Sequence, residues 1–133
     1  MKKANKTAEP GAAPHAIQQT LAAAMAHHGA GRLAEAESHY RKILQAEPKQ
    51  PVALHLLGVV AHQQGKNDRA VDLIGQALAV KPDFAEAHSN LGLALQALGQ
   101  VQQAEASYRK ALAIKPAFAK AHGNLGNALK EQG

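Results

Sequence analysis

Apolar and small residues recur along this chain at helical rather than strand spacing. In the stretch AEAHSNLGLALQAL, residues 85–98, Leu91, Gly92, Leu95 and Leu98 fall on one side of a helix turning about 100° per residue. Glu86, Asn90, Leu93 and Ala97 fall on the opposite side. Gly99 supplies the left-handed residue that commonly ends a helix. Residues 100–103 are expected to form a short turn, and EASYRKALAIK, residues 105–115, a second helix. Pro116 closes it, because proline cannot continue a helix interior and biases its predecessor away from helix. The Leu-Gly stripe is expected to pack on the second helix, with Gly92 letting the two backbones approach.

The same pattern returns every 34 residues, at Leu57, Leu91 and Leu125, and at Gly58, Gly92 and Gly126. Ala36, Ala70 and Ala104 keep the interval, as do Tyr40, Ile74 and Tyr108, and Pro48, Pro82 and Pro116. Gly31, Gly65, Gly99 and Gly133 complete the grid. Such registers define a repeat protein. The reading is all-α: antiparallel helix pairs over residues 17–50, 51–84 and 85–118, then a leading helix over 119–133, seven helices in about three and a half repeats. Residues 15–133 form the repeat domain, and residues 1–14 a disordered basic tail. Arrays of helix pairs expose one set of helices on a concave surface. The stripe facing away from the partner helix is therefore the candidate contact face. It carries Val52, Leu56, Val59 and Gln63 in the second unit, and Lys120, Asn124, Asn127 and Glu131 in the last.

Composition narrows the function. Thirty alanines but only two Phe, two Tyr and no Trp leave a core of small side chains, suited to closely packed helices. The absence of cysteine excludes disulfides, thiolate metal sites and a cysteine nucleophile. Fifteen Lys and Arg against ten Asp and Glu give a net charge of +5. That charge is spread out and lacks interleaved aromatics, so no nucleic-acid surface is expected. Arg109, Lys110 and Lys115 are read as opposing the negative end of a helix dipole. No apolar run is long enough to span a membrane, and no apolar segment follows Lys2, Lys3 and Lys6, so cytoplasm is the default location.

The spacing of Leu, Gly, Ala, Tyr and Pro resembles the tetratricopeptide repeat over about residues 17–133. The resemblance implies a right-handed superhelix whose groove binds peptides. AEAHSNLGLALQALG and AKAHGNLGNALKEQG are most similar to the repeats that precede the catalytic part of protein O-GlcNAc transferases. In that subfamily the Asn before Leu-Gly, here Asn90 and Asn124, forms a ladder that grips the substrate backbone. The first unit departs from the pattern, with Ala23-Ala24 in place of Leu-Gly and His27 in place of Leu95 or Leu129. It reads as a cap. Ala22 and Leu56 stand where the later units carry asparagine. The family's clamp for acidic chaperone tails is not expected, because His55 and Val59 occupy its first Lys and Asn positions and Asn124 replaces its Arg.

An asparagine amide both donates and accepts, so Asn90 and Asn124 can pair with a peptide backbone whatever its side chains. Lys120, Glu86, Asn127 and His55 are read as tuning side-chain preference. Of the eight histidines, His55 and His62 are seven apart and His28 and His62 lie on separate helices. Neither pair can chelate alone, so surface histidines are expected and no metal or cofactor. Nor does any nucleophile have a base at recognisable spacing, so the chain is not read as an enzyme. Ala121, Leu125, Ala128 and Leu129 on the last helix are expected to lack a partner on one side. Leu125, Leu129 and Ala128 are therefore candidates for self-association. Three functions follow: a peptide-binding interaction module, the substrate-recognition part of a larger glycosyltransferase, or a self-assembling scaffold.

Overall fold

The computed structural model describes residues 5–133, with side chains from residue 15 onward. The expected basic tail, residues 1–14, lies outside the described residues apart from backbone that opens the first helix. Seven helices follow one another: α1 (Asn5–Gly29), α2 (Leu33–Ala46), α3 (Pro51–Gln63), α4 (Asn67–Val80), α5 (Ala85–Ala97), α6 (Val101–Ile114) and α7 (Ala119–Gln132). The described residues contain no strand, and no helix there is long and apolar enough to cross a membrane.

Each pair is joined by a tight stop. Gly31, Gly65 and Gly99 take φ of +81°, +80° and +80°. In the third unit the N–H of Gly99 bonds the carbonyl of Gln96, and that of Gln100 reaches Leu95, satisfying carbonyls left open at the helix end. The chain then restarts at once. α6 begins at Val101, not beyond Gln103, because Gln100 already accepts the first helical hydrogen bond, from Ala104. The expected four-residue turn is therefore shorter. At the far end Lys115, with φ of −133° and ψ of 85°, has left the helical conformation before Pro116.

Within a pair the small residues decide the fit. Ala36, Ala70 and Ala104 have no exposed surface, and neither do Tyr40, Ile74 and Tyr108 four residues later. A Cβ on Gly58 would lie 2.6 Å from Cγ1 of Ile74, and one on Gly92 would run into the ring of Tyr108. The glycine thus makes room chiefly for the side chain sixteen residues on, rather than for a bare backbone as expected. Each helix packs on the next; in addition α3 touches α5 and α5 touches α7, with no comparable packing between α2 and α4 or α4 and α6. The first helices of the units therefore follow the shorter, inner arc, and their outward stripes line a concave groove.

These contacts predict opposite outcomes for one substitution. Gly92→Ala should cost about 1–3 kcal/mol, as overpacking of a tight core does. Gly126→Ala, where an added Cβ meets nothing within 4 Å, should be neutral or gain up to about 1 kcal/mol from helix propensity. Urea denaturation of the two variants checks this, and equal effects would contradict the packing.

Candidate functional site

Asn90 and Asn124 hold the sixth place of their units and are half-buried in the groove. Each turns one amide N–H backward onto the fifth residue of the preceding unit. Nδ2 of Asn90 donates to Nε2 of His55 at 2.8 Å, and Nδ2 of Asn124 to Oγ of Ser89 at 3.5 Å. Both acceptors are buried. An amide nitrogen can only donate, so His55 is neutral with its proton on Nδ1. Its ring is 4% exposed and meets the ring of Phe84 edge-on at 4.7 Å. His55 thus lies beneath the groove surface and positions Asn90. Burial pushes its pKa down to about 4, against a smaller opposing pull from Glu86.

Glu86, Lys120 and Asn127 are exposed on the same face. Oε2 of Glu86 meets Nζ of Lys115 at 3.2 Å. Its own backbone N–H, ahead of Lys115, holds its carboxyl below the usual range. Lys115 also lies 4.6 Å over the ring of Phe118, and Arg109 pairs with Glu105 at 2.8 Å. Arg109 and Lys115 are therefore taken up by specific partners, and no basic residue sits in the last turn of α6.

Further along the groove, hydrogen-bonded relays cross from pair to pair. Oε1 of Gln63 can only accept, so Nε2–H of His28 donates to it at 2.7 Å, and Nδ1 accepts from the hydroxyl of Tyr40 at 3.0 Å. In the third unit the hydroxyl of Tyr108 donates to Oε1 of Gln96 at 2.7 Å, and Nε2 of Gln96 donates to Oε1 of Glu131 at 3.0 Å. Burial raises the pKa of both tyrosines to about 12, and Glu131 adds to the rise at Tyr108. The second unit has no such relay: Ile74 lacks a hydroxyl, His62 bonds Asn67 at 2.5 Å, and Ala97 offers no polar atom.

The histidines are not uniformly at the surface, since His55 and His88 are buried. Nε2–H of His88 donates to the carbonyl of Pro82 and that of His122 to Pro116, both at 2.8 Å, which ties each loop to the following helix. Sequence reasoning missed these locks, although His88 and His122 recur at the 34-residue interval after a proline. Among the described residues no group of three His, Cys, Asp or Glu side chains could hold a metal. On α7, Ala121 and Ala128 have no exposed surface, Leu125 is half-buried and Leu129 is 43% exposed. The two alanines therefore do have partners, because they point into the packing of α7 on the preceding pair. The partly open face reduces to Leu125 and Leu129.

Fold and register together define a helical-repeat solenoid. Two tetratricopeptide repeat models match the sequence, one over residues 27–92 and the other over 85–118. The chain belongs to the tetratricopeptide repeat family, with the right-handed stacking of that fold. No curated protein matches the sequence significantly. Among solved structures, a mutant O-GlcNAc transferase from Thermobaculum terrenum shares 33% identity at a TM-score of 0.87, over 88% of this chain. This chain spans only 22% of that transferase. The first repeat domain of Spaghetti (RPAP3), bound to the HSP90 peptide SRMEEVD, has a TM-score of 0.83 and 22% identity, covering 87% of this chain and 92% of that one. MamA has a TM-score of 0.80 and 22% identity, covering 99% and 85%. The last two likenesses concern the fold.

The buried His55 predicts a pH dependence. Its neutral form is favoured in the fold, so its contribution to stability is full above the unfolded pKa of about 6.5 and is lost as pH falls toward 4. The lowered carboxyls of Glu37, Glu86 and Glu105 lose their contributions only below their ordinary value of 4.5. Between pH 6.5 and 4.5 His55 should therefore cost roughly 2 kcal/mol. Titration followed by NMR checks it: the His55 ring should keep its neutral shifts down to pH 5, and a midpoint near 6.5 would refute the burial argument.

Proposed function

We propose that this chain is an interaction module that binds an extended protein segment along its concave groove, holding the segment's backbone with Asn90 and Asn124. The supporting observation is the matched pair of hydrogen bonds from these asparagines to His55 and Ser89. Using one N–H of each amide as an anchor leaves the other N–H and Oδ1, a donor and an acceptor suited to a peptide group. Holding both side chains in advance lowers the ordering cost of binding. Lys120, Glu86 and Asn127 would select among side chains, and His55 acts through Asn90. The peptide held by the Spaghetti repeat domain and the peptide-gripping asparagines of the resembled transferases agree with this reading. With groove peptides selected on the native chain, Asn90→Ala together with Asn124→Ala should weaken binding at least tenfold, about 1.4 kcal/mol. Unchanged affinity in calorimetry removes the asparagines from the mechanism.

A second reading rests on the 33% identity to the transferase: the groove would deliver a protein substrate to a catalytic domain beyond this segment. The binding chemistry is the same in both cases. Self-assembly through α7 is the third, carried by the exposed Leu129 beside Leu125. Replacing both leucines with Glu should lower the mass measured by light scattering if the face joins copies, and an unchanged mass counts against assembly.

A further inference from the structure

The groove is not uniform along its length. On α5 and α7 its sixth and second places hold Asn90, Glu86, Asn124 and Lys120, whereas on α3 they hold Leu56 and Val52. Between α1 and α3 it opens into a cleft of about 290 Å3. Met25, 51% exposed, and the half-buried Leu56 are its apolar walls. The first relay, Tyr40 to His28 to Gln63, lines the rest of it, with both ring nitrogens of His28 already paired and Gln63 exposed. The cleft therefore offers two apolar walls beside an imidazole whose nitrogens are both paired. A cationic side chain there would give up its water without gaining a carboxylate partner. An apolar side chain would cover Met25 and Leu56 at no such cost.

The other end of the groove has the opposite character. Among the described residues Lys120 has no carboxylate partner, while Glu86 is taken by Lys115. A second copy of this chain, also at +5, is a poor match for that cation. A segment with an acidic side chain at this end is a good one.

We propose that the α1–α3 cleft is an anchor site for a large apolar side chain, and that it sets the register and direction of an extended, acidic partner segment running toward Lys120. This rests on the groove reading above. Packed helices lie about 8–10 Å apart and an extended chain advances about 3.3 Å per residue, so the segment spends about three residues per unit. Its apolar residue sits about four positions from the residue held at Asn90. About seven positions separate it from the acidic residue beside Lys120.

Panning random dodecapeptides against the full chain tests this, with the selected sequences remade as synthetic peptides and measured by fluorescence anisotropy. The expected peptides carry Leu, Met or Phe about seven positions from Asp or Glu. They lose at least tenfold in affinity to Met25→Lys, a change at an exposed position that should leave the fold intact by circular dichroism. Peptides that respond to the Asn90→Ala plus Asn124→Ala variant but ignore Met25→Lys overturn the anchor and leave the groove reading standing. Peptides that respond to neither, or a library that yields no binder, overturn both. Concentration-dependent dimers that Met25→Lys dissolves would assign the cleft to a second copy and overturn the proposal.

Discussion

The contact between a glycine on the first helix of a pair and a bulky side chain sixteen residues later sets the geometry on which the other contacts build. Gly92 admits the ring of Tyr108, and Gly58 admits Ile74. The spacing of the pair follows, and with it the burial of Ala70 and Ala104 at the same interface. Consequences extend to the groove. With its ring seated on Gly92, Tyr108 presents its hydroxyl to Gln96, which in turn fixes Glu131 on the next unit. A core contact thereby orders a surface residue one repeat away. Where Ile74 replaces tyrosine the packing survives but the relay does not, so the scaffold and the chemistry of its face vary independently.

Much of the fold was legible in the sequence because helix pairing is periodic. A 34-residue grid of Leu-Gly, Ala, aromatic or β-branched, Gly and Pro repeats the same local problem, and each unit solves it in the same way. The groove was legible as a stripe of positions. Its contacts were not, and the reason is geometric. His28 with Gln63, His55 with Asn90, Ser89 with Asn124 and Gln96 with Glu131 are all 35 residues apart, one more than the repeat. Neighbouring first helices are staggered, so the bonded partners sit at unequal places in their units. Aligning the repeats on one another hides such pairs.

Burial produced the other departures. His55 reads as polar and therefore exposed, yet Phe84 from the loop before α5 covers it while Asn90 satisfies Nε2. Ala128 reads as part of an open helix face, but helical phase turns it inward and leaves Leu129 outside. Residue type alone could not separate these cases, because each depended on which neighbour the solenoid brought alongside.

The buried histidine carries the last step. A neutral imidazole under an asparagine is a costlier support than an apolar residue would be, since it must be desolvated and kept from its proton. A leucine in its place would leave the N–H of Asn90 free to turn toward solvent. His55 instead commits that N–H and so biases the amide toward one orientation, leaving its oxygen for other partners. Ser89 makes a longer bond to Asn124, which constrains that side chain less. Asn90 is thus the more firmly anchored of the two groove asparagines.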